Sequence, residues 1–330
     1  MTPIKGGLKL EGKKEATLVP WTSARSEPPR RIRIPLVDSK QSPAKPCVQK
    51  GDRVLLGQKI AEDKRRIALH ASVSGEVTAV HSEIEILSDG KDESIPGMGH
   101  ERRGWESLSP EEGIQILKDS GIELPSSRHG TLILNACESE PYLTSDYSLL
   151  MSHPVEILRG AEILRRLRGA KDVILALEDR EEEVIELLKS KFFFHTEFHT
   201  RMEALPARYP QENEKILVRT LLGPGKKAEV WNAATVYAVY EAVVLQKPFY
   251  ERIVTVGGEC MAQPRNLWIR IGTPAEEAVK GARGFLRQPE KVILGGPMRG
   301  IAIPTLDHPI LKDTRGLLGL PREVAPPRIH

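Results

Sequence analysis

Gly130-Thr-Leu-Ile-Leu134, followed by Asn135-Ala-Cys-Glu-Ser-Glu-Pro-Tyr-Leu-Thr-Ser-Asp-Tyr147, is the stretch on which the reading of this chain turns. The first five residues are an apolar, β-branched run flanked by polar ones, the pattern of a buried parallel strand. The next thirteen crowd an amide, carboxylates and phenols onto its carboxyl end. Such groups are costly to bury without partners, and the carboxyl ends of strands are where open α/β sheets bind ligands. The stretch therefore predicts an α/β sheet with a ligand site at Asn135, Glu138 and Glu140.

The elements around it agree. Pro110 to Ser120 reads as a helix opened by proline, as does Pro154 to Arg168 with apolar residues at Val155, Leu158, Ala161, Ile163, Leu164 and Leu167. Val173 to Leu177 is a second buried strand, Glu181 to Ser190 a helix, and Phe192 to His199 a third strand. This alternation predicts a doubly wound, Rossmann-like parallel sheet. Glu212 to Leu222 and Asn232 to Leu245 read as two further helices.

The flanks differ in character. Residues 30 to 90 look all-β, with Arg30, Arg31 and Arg33 on the exposed face of an edge strand. Gly51 and Gly57 suit turns with positive φ, and Gly75 a turn or bulge. The pattern G-D-x-V-x-x-G-Q-x-I followed by S-x-S-G-x-V resembles the barrel-sandwich hybrid of lipoyl and biotinyl domains, without the lysine a carrier would modify. Residues 88 to 110 read as a linker. From Glu251, strands at Ile253–Val256, Leu267–Ile271 and Val292–Leu294, with a helix near Pro274 to Leu286, fit a small β-grasp unit. Leu320 to His330 reads as a frayed tail. The expected α/β multidomain chain thus has a barrel-sandwich hybrid at 1–95, an α/β domain at 105–250, a β-grasp domain at 251–320 and a tail at 321–330.

Bulk properties narrow the function. The 330 residues are 40% hydrophobic and 28% charged, with a net charge of only +3. That is a soluble globular composition without the basic arm of a nucleic-acid binder. There is no bilayer-length apolar run and no signal-peptide core, so a cytoplasmic chain is expected, or one held at a membrane by partners. Cys47, Cys137 and Cys260 lie far apart, which argues against a cysteine-ligated iron–sulfur cluster within the chain.

Two further segments are candidates to join the Asn135 strand end. Tyr209-Pro-Gln-Glu-Asn-Glu-Lys215 enters a helix, where free backbone N–H groups can meet an anion. Val230-Trp-Asn-Ala-Ala-Thr235 places Asn232 at a second helix start, where it reads equally well as a plain N-cap. Glu212 and Glu214 have a similar bland reading, as first-turn acids that complement the helix dipole. Cys137 lacks the positive neighbour a reactive thiolate needs. His195 and His199 would sit too far apart on a strand to chelate a metal easily.

Taken in order, Gly6-Gly7, the Gly51 to Ile60 module, Glu140-Pro-Tyr-Leu-Thr-Ser-Asp146, Tyr209-Pro-Gln, Tyr237-Ala-Val-Tyr-Glu-Ala-Val243, Arg270-Ile-Gly-Thr-Pro274 and Gly295-Gly-Pro-Met298 resemble the RnfC subunit family of Rnf electron-transport complexes. The family is related to the flavin subunit of respiratory complex I. The resemblance implies a central FMN-binding domain that accepts hydride from NADH, and an SLBB-like β-grasp domain. It assigns FMN to Asn135, Glu138, Glu140, Tyr209, Glu214, Asn232 and Thr235. It also implies partner subunits in a membrane complex and a peripheral location on its cytoplasmic, inner face.

Two departures qualify what the resemblance implies. The family's glycine-rich loop, G-x-G-G-A-G-F-P, is reduced to Gly121-Ile-Glu-Leu-Pro-Ser-Ser-Arg-His-Gly130, and glycines of Y-P-Q-G-G-E-K become Glu212 and Asn213. The cysteine-rich [4Fe–4S] domain that follows in the family is not represented, so either a separate ferredoxin-like subunit is expected to hold the clusters or the chain is a shortened relative that has lost them. The alternative is a non-catalytic docking or scaffold subunit that has lost the cofactor. A soluble flavin reductase of the corrinoid-reductase type is a third reading.

Overall fold

The computed structural model describes residues 6–18, 23–37, 43–194 and 198–323. They divide into two compact units, one of residues 6–18, 23 and 125–240, the other of residues 24–124 and 241–323. Residues 6–18, counted with the barrel in the sequence, group with the α/β unit.

That α/β unit is built on four parallel strands. Thr131–Asn135 lies between Asp172–Glu178 on one side and Glu229–Asn232 on the other, and Thr200–Leu205 lies outside Asp172–Glu178. The chain thus builds outward on one side, then crosses back to add its fourth strand beside the first. Ile133, Ile174, Ala176 and Leu205 from three of these strands pack on Leu217, Val218 and Leu221 of helix Glu214–Leu222. The helix Pro154–Arg168 ends on Gly169 in the left-handed region, as glycine after a helix allows. Its Gly160 lies against helix Ala233–Val244, where a Cβ would stand 2.2 Å from the Val236 carbonyl oxygen.

Three local expectations need correction. The segment Phe192 to His199 does not form the third strand: a helix runs over Glu182–Phe194, and the strand is Thr200–Leu205. A short apolar run suits a helix as readily as a strand, and here Phe192 to Phe194 close the helix. His195 lies outside the described residues, whereas His199 is exposed beside Glu162. Ser145–Ser152 is a helix inside the polar stretch, its burial concealed by serines and an aspartate. Lastly, the helix of the β-grasp segment is shorter than expected, spanning only Ala275–Gly281.

The second unit contains three sheets. Strand Arg31–Pro35 is indeed an edge, with Ile32 and Ile34 inward and Arg31 exposed, in a sheet completed by Glu83–Ser88, Gly75–Val80 and Arg53–Val54; Arg33, expected on the exposed face, is instead half-buried and paired with Glu83. Gly51 and Gly57 have φ of 91° and 82°, and Gly75 passes so close to Leu87 that a Cβ would overlap its carbonyl oxygen. A three-stranded sheet of Ala44–Pro46, Lys59–Asp63 and Ala68–His70 completes the sandwich. Ile32, Val54, Ile60, Val77, Ile84 and Ile86 form its core. The third sheet has six strands, in the order Ala24–Arg25, Arg265–Arg270, Glu251–Gly257, Gly316–Leu320, Lys291–Leu294 and Ile301–Ile303. Its core joins Val254, Val256 and Ile269 to Ala278 and Val279 of the short helix. Among the described residues no helix is long and apolar enough to cross a membrane.

Candidate functional site

The strand order of the α/β unit reverses between Thr131–Asn135 and Glu229–Asn232. A strand-order reversal of this kind is the usual ligand position in open α/β sheets, in the crevice outside the carboxyl ends of the strands. The terminal residues of the two strands, Asn135 and Asn232, are register partners.

Asn135 is held at both ends of its amide. Its Nδ2 donates to the Glu212 carbonyl at 2.8 Å, and its Oδ1 accepts from the Cys137 N–H at 3.2 Å. The first bond brings the Tyr209 to Asn213 loop back across the sheet edge from the outermost strand. Glu212 itself is buried, and its carboxylate accepts from the Ser139 N–H at 2.8 Å. Its charge is thereby turned onto the strand-end loop. Asn213, not Glu212, caps the following helix, accepting from the N–H groups of Lys215 and Ile216.

Glu138 is fully buried. Its two carboxylate oxygens accept from the Ser145 hydroxyl at 3.1 Å and the Tyr147 N–H at 3.0 Å, at the start of helix Ser145–Ser152. Glu140 is also buried, whereas Glu214 is exposed on the first turn of its helix. Tyr209 is half-buried and exchanges both backbone hydrogen bonds with Leu8. Asn232 is exposed; its Oδ1 accepts from the N–H of Thr235 at 2.8 Å and from its hydroxyl at 3.0 Å. Its capping role is thus real, and its Nδ2 donates to no group among the described residues. The three segments do converge, through Asn135–Glu212 and Asn135–Asn232, while the Glu214 side chain stays outside these contacts.

Several participants were not legible in the sequence. Lys14 is buried, and its Nζ donates to the Glu138 carbonyl at 2.5 Å. Arg180 binds the Glu178 carboxylate at 2.8 Å through Nε and also reaches the Glu138 carbonyl at 3.4 Å. Glu181 lies among Lys14, Glu178, Glu138 and Arg180. Burial pushes its carboxyl well above the ordinary 4.5; Lys14 opposes the shift, and the neighbouring Glu178 and Glu138 add to it. One carboxylate oxygen each of Glu178 and Glu181, and the Ser139 hydroxyl, are buried without a hydrogen-bond partner. The pair Lys13-Lys14, beside the glycines at 6 and 7, was the available signal for this part of the site.

The fold has known counterparts. Residues 121–242 match the model of the Nuo51 FMN-binding domain, residues 2–95 that of the RnfC barrel sandwich hybrid domain, and residues 253–302 that of the SLBB domain. A component of the proton-translocating ferredoxin:NAD(+) oxidoreductase complex of Clostridium ljungdahlii is 33% identical over 328 residues, spanning 88% of this chain and 71% of that protein. The corresponding component of the ion-translocating oxidoreductase complex of Rhodobacter capsulatus is 33% identical over 96% of this chain and 68% of its own length. Its counterpart in Cronobacter sakazakii is 32% identical over 88% of this chain but only 42% of its own length. A chain of an NAD+-reducing [NiFe]-hydrogenase superposes with a TM-score of 0.55 and 21% identity, over 65% of this chain and 47% of that one; this likeness is one of fold. Identity at this level across almost the whole chain, with all three domain types in the same order, establishes that the chain belongs to the RnfC family.

Proposed function

We propose that this chain is the RnfC-type subunit of a membrane electron-transport complex, and that its α/β unit binds FMN in the switch-point crevice and passes electrons from NADH towards an acceptor. The observation that carries this reading is the pairing of Asn135 with Asn232 at the strand-order reversal, beside donors that the fold leaves unused. The Asn232 amide nitrogen, the buried Ser139 hydroxyl and the first-turn N–H groups of helix Ala233–Val244 suit ribityl hydroxyls and a phosphate. The donor set fits the cofactor.

FMN, when bound, supplies hydride acceptance and one-electron release. The chain's own work is holding and orienting. Asn135 fixes the Tyr209 to Asn213 loop against the strand end, and Glu138 anchors the start of helix Ser145–Ser152. Asn232 and Thr235 define the start of the facing helix. Glu140, Tyr209 and Glu214 complete the proposed contact set, Glu214 from the rim. The expected partners are the other subunits of the complex. The location that follows is peripheral, on the inner face of the cytoplasmic membrane.

A second reading, a docking subunit that has lost the cofactor, draws on the Gly121–Gly130 interval. Gly121 is committed to packing, since a Cβ there would meet the Lys312 ammonium and the Ala68 carbonyl oxygen. It makes no phosphate cradle. Purified chain titrated with FMN separates the two readings through flavin absorbance and fluorescence quenching. Retention with quenching is expected; no binding at tens of micromolar FMN sinks the flavin reading. Stopped-flow bleaching by NADH then tests hydride transfer on its own.

A further inference from the structure

The segment from Gly6 to Thr17 is largely irregular, yet it is tied down along its length. Leu8 exchanges backbone hydrogen bonds of 2.8 and 2.9 Å with Tyr209, in the loop after strand Thr200–Leu205. A Cβ on Gly12 would stand 3.1 Å from Arg180 Nη1, in the loop after strand Asp172–Glu178. The Gly12 carbonyl accepts from the Tyr142 N–H at 2.8 Å, and the Lys14 ammonium donates to the Glu138 carbonyl, both in the loop after strand Thr131–Asn135. The Thr144 hydroxyl donates to that of Thr17 at 2.8 Å. These loops follow three adjacent strands. The segment therefore crosses the carboxyl edge of the sheet from its outermost strand to the Asn135 strand.

Its chemistry matches that position. Gly7 has φ of 81°, and a Cβ there would stand 3.1 Å from both the Arg208 Cβ and the Tyr209 carbonyl oxygen; only glycine follows the Tyr209 loop so closely. Lys13 holds its ammonium 5.8 Å from the centre of the Tyr142 ring, and Lys9 is exposed. Lys14 is the costly residue. A buried ammonium destabilises a fold unless it is paired, and this one acts on the buried carboxylate of Glu181, which Glu138, Glu178 and Arg180 also surround. Its hydrogen bond goes to the main chain of the strand-end loop itself.

We infer that residues 6–17 form a second wall of the ligand crevice, doing what the Gly121–Gly130 interval does not, and that Lys14 is the positioning residue that sets the Glu138 to Tyr142 loop against the ligand. This rests on the proposed FMN site. At Gly6 an added Cβ would meet nothing within 4 Å, which leaves the backbone open to a flat ring or a phosphate, and the exposed Lys9 gives the wall a positive charge that suits an anionic cofactor.

The test uses the full chain with FMN as the probe, reading affinity from fluorescence quenching and order from hydrogen exchange. FMN is expected to slow exchange in residues 6–17. Lys14→Met should weaken FMN binding about tenfold or more and shift the bound-flavin spectrum, while Lys14→Arg restores affinity to within about threefold. If the unaltered chain binds FMN, exchange in residues 6–17 is unchanged and Lys14→Met binds as tightly, the wall is overturned and the flavin reading stands. If the unaltered chain retains no FMN, the flavin reading falls and takes the wall with it. Should Lys14→Met fail to fold, Gly7→Val decides, because it strains only the exposed end of the segment. The same tenfold weakening supports the wall, and unaltered affinity overturns it.

Discussion

Asn135 and Asn232 stand opposite each other in register at the carboxyl ends of two parallel strands. One is committed through both ends of its amide, and the other has an amide nitrogen that donates to no group among the described residues. The first organises the site, and the second caps a helix at its exposed start.

The two roles of Asn232 separate by substitution. Asn232→Ser keeps a capping oxygen and removes the amide nitrogen, so stability should change by only a few tenths of a kcal/mol while FMN affinity falls. Asn232→Ala should additionally lose about 1 kcal/mol of stability. Denaturant midpoints and FMN titrations of both variants check this. Equal FMN affinity in the serine variant would leave Asn232 a cap and nothing more.

Glu181 predicts a pH dependence of stability. Its carboxyl titrates above the ordinary 4.5 in the folded chain, chiefly because it is buried. The folded state therefore holds this proton more tightly than the unfolded chain. The resulting stability is fully present below about 4.5 and is lost as pH rises through the elevated folded value. Glu181→Gln, which cannot lose a proton, should flatten that part of the profile and be the more stable protein on its alkaline side. Urea midpoints measured across the range read the difference directly.

The pair Arg168–Glu229 makes the opposite kind of prediction. It is buried, with a contact of 2.8 Å, and Arg168 also donates to the carbonyls of Pro125 and Ser127. Arg168→Met leaves the Glu229 charge buried without its cation, a loss of about 3–5 kcal/mol. Glu229 begins the strand that Asn232 ends, so FMN affinity of the folded variant should be unchanged. A large loss of affinity without loss of stability would contradict this division.

Gly160→Ala tests packing against propensity. Alanine favours a helix by about 1 kcal/mol, yet its Cβ would lie 2.2 Å from the Val236 carbonyl oxygen. Overpacking of this kind costs about 1–3 kcal/mol. The expected outcome is a lower denaturant midpoint, together with weaker FMN binding, because the displaced helix is the one that starts at Asn232.

What was legible in the sequence was whatever repeats locally. Alternation marked Arg31–Pro35 as an edge strand, helical spacing set the bounds of Pro154–Arg168, and the polar strand end at Asn135 marked the site. The run Phe192 to His199 misled because a short apolar stretch suits a helix as well as a strand, and only its packing context decides. Helix Ser145–Ser152 was hidden because its first turn buries two serines, an aspartate and a tyrosine, and Leu149 and Leu150 alone make no apolar stripe.

The sequence by itself determined the domain types, the parallel sheet and the family, because these rest on periodicity and ordered motifs. Only the tertiary structure decided which groups meet. Lys14 reaches Glu138 across 124 residues, and Asn135 reaches Glu212 across 77. The strand-order reversal, not any local pattern, sets Asn232 beside Asn135. Charges so distant along the chain leave no periodic trace. They become a site only when the fold buries them together, removes the water that screens them, and makes each depend on its partner.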